Sequence, residues 1–155
     1  MTRKKEAVAA SLLLRDFVPF RLNRLATAVS EHLSEIYRER FGLEIPEWRV
    51  LVTVGERKDC TAQRIGASTR MHKTRISRAV ASLMKRGLIE RVLNSRDARE
   101  LSLHLTKAGK RLYSALVPLA LERERLLLSC LEDGQRRGLI EGLTRLEESL
   151  GLIGE

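Results

Sequence analysis

From about Leu12 to Phe41, apolar residues return every three or four positions: Phe17, Val18, Leu22, Leu25, Val29, Leu33, Ile36 and Tyr37. That period predicts one long amphipathic helix, which Gly42 ends because glycine tolerates positive φ. Pro46 suits the first turn of a second helix running to about Glu56, with Trp48, Leu51, Val52 and Val54 as its apolar members. Thr61 is placed to cap a short third helix through Ala67 or Ser68. A turn around Thr69-Arg70-Met71 leads to a fourth helix, about His72 to Arg86, closed by Gly87. Leu88 to Leu93 and Leu101 to Leu105 then read as two strands. Their connection, Asn94 to Glu100, is polar and too long for a tight hairpin turn. Thr106 caps a fifth helix, roughly Lys107 to Leu131, with Leu112, Leu116, Leu119, Leu126 and Leu127 on its apolar side. Asp133 caps a last helix ending near Leu150.

The fold class expected from this order is mainly α with a small β-wing, a winged helix-turn-helix lobe joined to a helical dimerisation region. The fourth helix carries the sharpest pattern. On a 100° wheel Ile76, Ala79, Val80, Leu83 and Met84 share the core side, while Thr74, Arg78, Ala81 and Lys85 fall opposite, flanked by Arg75, Ser77 and Ser82. A helix enters a major groove about 12 Å wide only behind short or flexible side chains, which Thr, Ser and Ala supply. Arg75 and Arg78 suit bidentate contacts to guanine or phosphate clamps, and Lys73 and Lys85 add charge. The competing reading is a solvated helix face; the preceding helix and the basic hairpin after it favour DNA.

Charge changes the picture because it is concentrated. Of the formal net +9, the segment from Arg57 to Arg111 carries 15 Lys or Arg against 4 Asp or Glu, a net of +11; the remainder carries 14 against 16. Such a block is the footprint expected of a polyanion-binding surface. With 155 residues and 43% hydrophobic composition the chain has material for a single domain. Sparse aromatics and three prolines favour helices. Cys60 and Cys130 have neither CxxC nor disulfide-framework spacing, and both read as packed thiols in a reducing compartment. The apolar run Ala7 to Leu14 is broken by Arg15-Asp16 and is too short to span a membrane. A soluble, cytoplasmic protein is expected, nucleoid-associated when bound to DNA and without a membrane partner. His32, His72 and His104 have no second ligand at helical spacing, so no metal or other cofactor is expected. With no phosphate loop and no nucleophile–base pair, an enzyme is not expected either.

The chain resembles the MarR family of bacterial transcriptional regulators. The resemblance rests on Phe41-Gly42-Leu43-Glu44-Ile45-Pro46-Glu47-Trp48-Arg49-Val50-Leu51 and on Ser82-Leu83-Met84-Lys85-Arg86-Gly87-Leu88-Ile89-Glu90-Arg91. It rests further on Asp97-Ala98-Arg99 followed by Leu105-Thr106-Lys107-Ala108-Gly109. It implies a single domain over 1–155, a winged lobe over 46–105, and dimerisation helices over 12–41 and 107–150. It also implies a homodimer on a pseudo-palindromic double-stranded operator. On that reading Lys73, Thr74, Arg75, Ser77, Arg78 and Lys85 contact DNA from the recognition helix, and Arg96, Asp97 and Arg99 from the wing. An Arg on a wing suits a narrow, negative minor groove; whether Arg96 or Arg99 enters stays open, as does an Asp97–Arg99 ion pair that shapes the wing. His72 departs from the small or acidic residue common at the recognition-helix entry.

The family's peroxide-sensing cysteine in the first helix has no counterpart here, which leaves a small-molecule effector. Arg21, Arg24, Trp48 and Arg49 are the candidate contacts for an anionic, aromatic carboxylate, through bidentate pairing and ring stacking. The competing readings are a core Trp48 and arginines paired to Glu31, Glu35 or Glu47. The function expected is a homodimeric repressor released from its operator by an effector; the alternative is an effector-independent, weakly specific architectural DNA-binding protein.

Overall fold

The computed structural model describes residues 12–57, 60–93 and 101–152. The elements are α1 (Val18–Phe41), α2 (Ile45–Glu56), α3 (Ala62–Thr69), α4 (Lys73–Lys85), β1 (Ile89–Leu93), β2 (Leu101–Leu105), α5 (Lys107–Leu127) and α6 (Asp133–Ser149). A single 3-10 turn, Leu128–Cys130, follows α5. The fold is mainly α with a two-stranded antiparallel wing, as the periodicity predicts. The chain divides into two units, one ending at His32 and one beginning at Leu33.

In the unit ending at His32, a turn precedes α1, with the Asp16 and Phe17 amides donating to the Leu13 carbonyl at 3.0 and 3.1 Å. The helix therefore starts at Val18, not near Leu12 as the apolar run suggests. Pro19 explains the start: a ring without an N–H is tolerated in a first turn and not further inside. Phe17, Val18, Phe20, Leu22 and Leu25 are all exposed.

In the unit from Leu33 onward, local chemistry sets each boundary. Gly42, at φ +58°, ends α1, and the Leu43 amide reaches back to the Tyr37 carbonyl at 2.9 Å. The Glu47 carboxylate accepts the Glu44 amide at 2.8 Å, giving α2 a capped start beside Pro46. Thr61 Oγ1 caps α3 by accepting the Arg64 amide at 3.2 Å. Gly87, at φ +65°, ends α4, with the Leu88 amide donating to the Leu83 carbonyl at 2.9 Å. Thr106 Oγ1 accepts the Gly109 amide at 3.0 Å and donates to the Gly87 carbonyl at 2.6 Å, so one hydroxyl caps α5 and holds it against the end of α4. Gly109 is required there, since a Cβ would fall 1.9 Å from the Leu88 carbonyl oxygen.

The strands pair from Ile89↔Leu105 to Leu93↔Leu101, and the Leu103 amide also donates to the Cys60 carbonyl at 2.7 Å. Ile89, Leu103 and Leu105 join Val50, Leu51, Ile65, Ile76, Val80 and Leu83 in one core under α4. Three further boundaries or assignments differ from expectation. The regular helix α5 stops at Leu127, and residues to Cys130 tighten into 3-10 geometry. The cap of α6 is Glu132, whose amide is accepted by Gln135, so Asp133 is the first helical residue. Cys60 is a packed thiol, but Cys130 is exposed in the 3-10 turn.

Candidate nucleic-acid interface

The amphipathic split of α4 is complete. Ile76, Ala79, Val80 and Leu83 are buried, whereas Lys73, Thr74, Arg75, Ser77, Arg78, Ala81 and Lys85 are exposed. Among the described residues, none of Lys73, Arg75, Arg78 and Lys85 takes part in an ion pair. The helix contains no acidic residue, so its positive N-terminal end and its cations act in the same direction, an arrangement suited to phosphate.

His72 resolves the departure noted at the helix entry. Its Nδ1 accepts the Thr74 amide at 3.3 Å, so an imidazole supplies the cap that a serine or aspartate commonly gives. The turn before it passes through Arg70 at φ +54°, the one non-glycine with positive φ among the described residues. Thr69 closes that turn, its hydroxyl donating to the Ile65 carbonyl at 2.5 Å and accepting the Met71 amide at 3.4 Å.

Two contacts that fix α4 were not legible in the charge pattern. Arg86 belongs to the basic block, yet its guanidinium donates to the Phe41 and Gly42 carbonyls at 2.7 and 2.9 Å and so fastens the end of α4 to the α1–α2 corner. Ser82, read as a flank of the groove face, donates to the Glu47 carboxylate on α2. Glu47 is therefore engaged by Ser82 and by the α2 cap, while Glu35 lies 3.8 Å from the Arg123 guanidinium.

Arg96, Asp97 and Arg99 lie outside the described residues, on the segment joining β1 to β2. Among the effector candidates, Arg21 and Arg24 sit with Leu22 and Leu25 beside a hollow on the exposed first half of α1. Trp48 and Arg49 are half-buried on α2. The Trp48 ring stacks on Tyr37 with centroids 5.2 Å apart and planes 9° off parallel. Burial pushes the Tyr37 hydroxyl above its usual range, partly offset by the Arg49 and Arg38 charges. Burial likewise raises the Cys60 thiol, against the opposing pull of Arg57 and Arg64. Among the described residues no three His, Cys, Asp or Glu side chains gather as a metal-binding group, and no helix is long and apolar enough to cross a membrane.

A model of the MarR family matches residues 41–100, the span holding α2 to β1 and the wing connection. The HTH-type transcriptional regulator BilQ of Clostridium symbiosum is 26% identical over 113 residues, which are 73% of this chain and 77% of that protein. The solved MarR/EmrR family transcriptional regulator from Acinetobacter sp. ADP1 is 27% identical with a TM-score of 0.82, covering 92% of this chain and 100% of the other. S. aureus MepR, solved as a complex with DNA, shares the fold at a TM-score of 0.74 and 18% identity, covering 88% of this chain and 98% of its own. A helix-turn-helix with an exposed basic face, a two-stranded wing and these likenesses lead to one conclusion: over residues 41–100 the chain is similar to the MarR family of transcriptional regulators.

Proposed function

We propose that the chain acts as a homodimeric, sequence-specific repressor that leaves a pseudo-palindromic operator when a small effector binds. The observation that carries this reading is the face of α4, which turns Thr74, Arg75, Ser77 and Arg78 to solvent while its opposite side is locked in the core. Arg78 and Arg75 are assigned to base edges, Lys73 and Lys85 to phosphates, and Arg96 or Arg99 to the minor groove, oriented by Asp97. The winged lobe over 46–105 is the DNA-binding part, and 12–41 and 107–150 are the dimerisation helices.

The case for a second copy is the surface of α6. Leu139, Ile140, Leu143 and Leu146 follow helical spacing, yet all are exposed, and α6 has no buried residue. A leucine stripe of this kind needs a partner, and a two-fold copy is the commonest solution. For the effector, an aromatic carboxylate is the proposed class, with Arg21, Arg24, Trp48 and Arg49 as the candidate residues, each to be varied by itself. Footprinting on a selected duplex tests the DNA half: a discrete palindrome lost with Arg78→Ala or Arg99→Ala supports a specific regulator. Uniform, sequence-blind protection would support an architectural protein instead. Titration with aromatic acids, followed by Trp48 fluorescence and operator release, tests the effector half; a flat response would remove it.

A further inference from the structure

Among the described residues four have positive φ: Gly42, Gly87, Gly151 and, at φ +54° and ψ +22°, Arg70. In that region a Cβ crowds the following carbonyl, so glycine is the residue expected, and after it asparagine or aspartate. Arg70 closes α3 and begins the turn Arg70-Met71-His72 that leads into α4. The turn is fastened from its inner side, by the Thr69 hydroxyl and by Met71, which packs against the core. A glycine at position 70 would take this conformation without strain. The backbone of the turn therefore does not call for an arginine.

Contacts within the protein do not call for one either. Arg70 is exposed, and among the described residues its side chain makes no hydrogen bond or ion pair. Arg86, by contrast, is held by two carbonyls. The carbonyl end of α3 attracts a cation at position 70, but the amide end of α4 begins three residues later and repels it. The two helix dipoles thus act against each other, and neither explains the charge.

Its place in the fold does. In a helix-turn-helix the second helix enters the major groove by its N-terminal residues, while the first crosses the sugar–phosphate backbone. The turn between them lies at the lip of the groove. Arg70 stands at most about 10–11 Å from Lys73 along the chain. Exposed Arg70 and His72 flank the inward Met71, so this turn presents its cation to the outside. A guanidinium fork on a backbone of fixed shape matches two oxygens of one phosphate.

We propose that Arg70 clamps a DNA backbone phosphate at the lip of the major groove, beside the bases that the face of α4 meets. Such a contact fixes register and orientation without reading sequence. It rests on the reading of α4 as the recognition helix of a DNA-binding protein.

The test uses the full-length chain and two labelled duplexes of equal length, one selected on the natural chain and one of mixed sequence. Affinity is followed by fluorescence anisotropy between about 50 and 200 mM salt. Arg70→Asn keeps a residue at ease with positive φ and removes the charge; Arg70→Lys keeps the charge and removes the fork. Arg70→Asn should weaken both duplexes by the same factor, about tenfold, and lower the salt slope by about one unit per protomer. Arg70→Lys should keep the slope and recover part of the affinity. Arg70→Gly should bind as weakly as Arg70→Asn while its urea midpoint holds or rises, a separation that a structural arginine would not give. Unchanged affinity and slope in Arg70→Asn would overturn the clamp and leave DNA binding standing. A loss confined to the selected duplex would make Arg70 a reader of bases and overturn it too. A lower urea midpoint in both Arg70→Asn and Arg70→Gly would assign the side chain to the fold instead. A natural chain that binds neither duplex would overturn the DNA-binding reading, and the clamp with it.

Discussion

Arg78 and Arg86 are cations of the same basic block, and their side chains have different tasks. The Arg86 guanidinium is held by the Phe41 and Gly42 carbonyls, whereas Arg78 stands exposed on α4 with no ion pair among the described residues. Arg86→Ala should therefore lower stability by about 1 kcal/mol, read as a shift of the urea midpoint. Arg78→Ala should leave the midpoint in place and cost about 1–3 kcal/mol of discrimination between specific and random DNA. Lys85→Ala should instead weaken all sequences alike and reduce the salt slope by about one unit. Buried Cys60 gives a prediction of opposite kind. Its thiol is held above the usual 9.0 by desolvation, so the folded chain keeps that proton longer than the unfolded chain. The associated stability is intact below pH 9.0, the unfolded value, and is lost as pH rises through the higher folded value. Urea midpoints measured across that alkaline range should fall, and Cys60→Val should remove part of the fall.

At the scale of elements, the recognition helix is positioned by joints at both ends and one in the middle. His72 caps its start, the Ser82–Glu47 hydrogen bond ties its flank to α2, and Gly87 with Thr106 fixes its exit. Thr106→Ala should cost about 1–2 kcal/mol, because it removes a cap and a second bond to the Gly87 carbonyl; thermal melting would show it. Much of this architecture was legible in the sequence, since helix periods, Gly42, Gly87, Pro46, Thr61 and Thr106 are local signals with local causes. The burial split of α4 likewise followed from its wheel. The rest depends on contacts between elements. Ser82 and Glu47 are 35 residues apart, and Arg86 reaches carbonyls 44 and 45 residues away, so no periodicity reports them. The start of α1 was misplaced because its apolar run continues upstream of Pro19, and hydrophobic spacing is silent on where a turn interrupts.

For the whole molecule, one winged lobe contacts too few bases for a strong operator, and the exposed stripe of α6 offers the means to present two. Leu143→Glu, placing a charge in that stripe, should yield a monomer by sedimentation with unchanged helical circular dichroism. Losing the second lobe should lower operator affinity about 10²-fold or more. The central claim is that the exposed face of α4 reads a major groove in each half of a symmetric site. Selection from random duplex DNA, with the enriched sequence mapped by hydroxyl-radical footprinting, measures this most directly. The account predicts an inverted repeat whose half-sites are centred about 34–36 Å apart along the duplex, with enrichment at the half-sites lost in Arg78→Ala. Enrichment of no sequence, or of the same repeat by Arg78→Ala and by the natural chain, would contradict it.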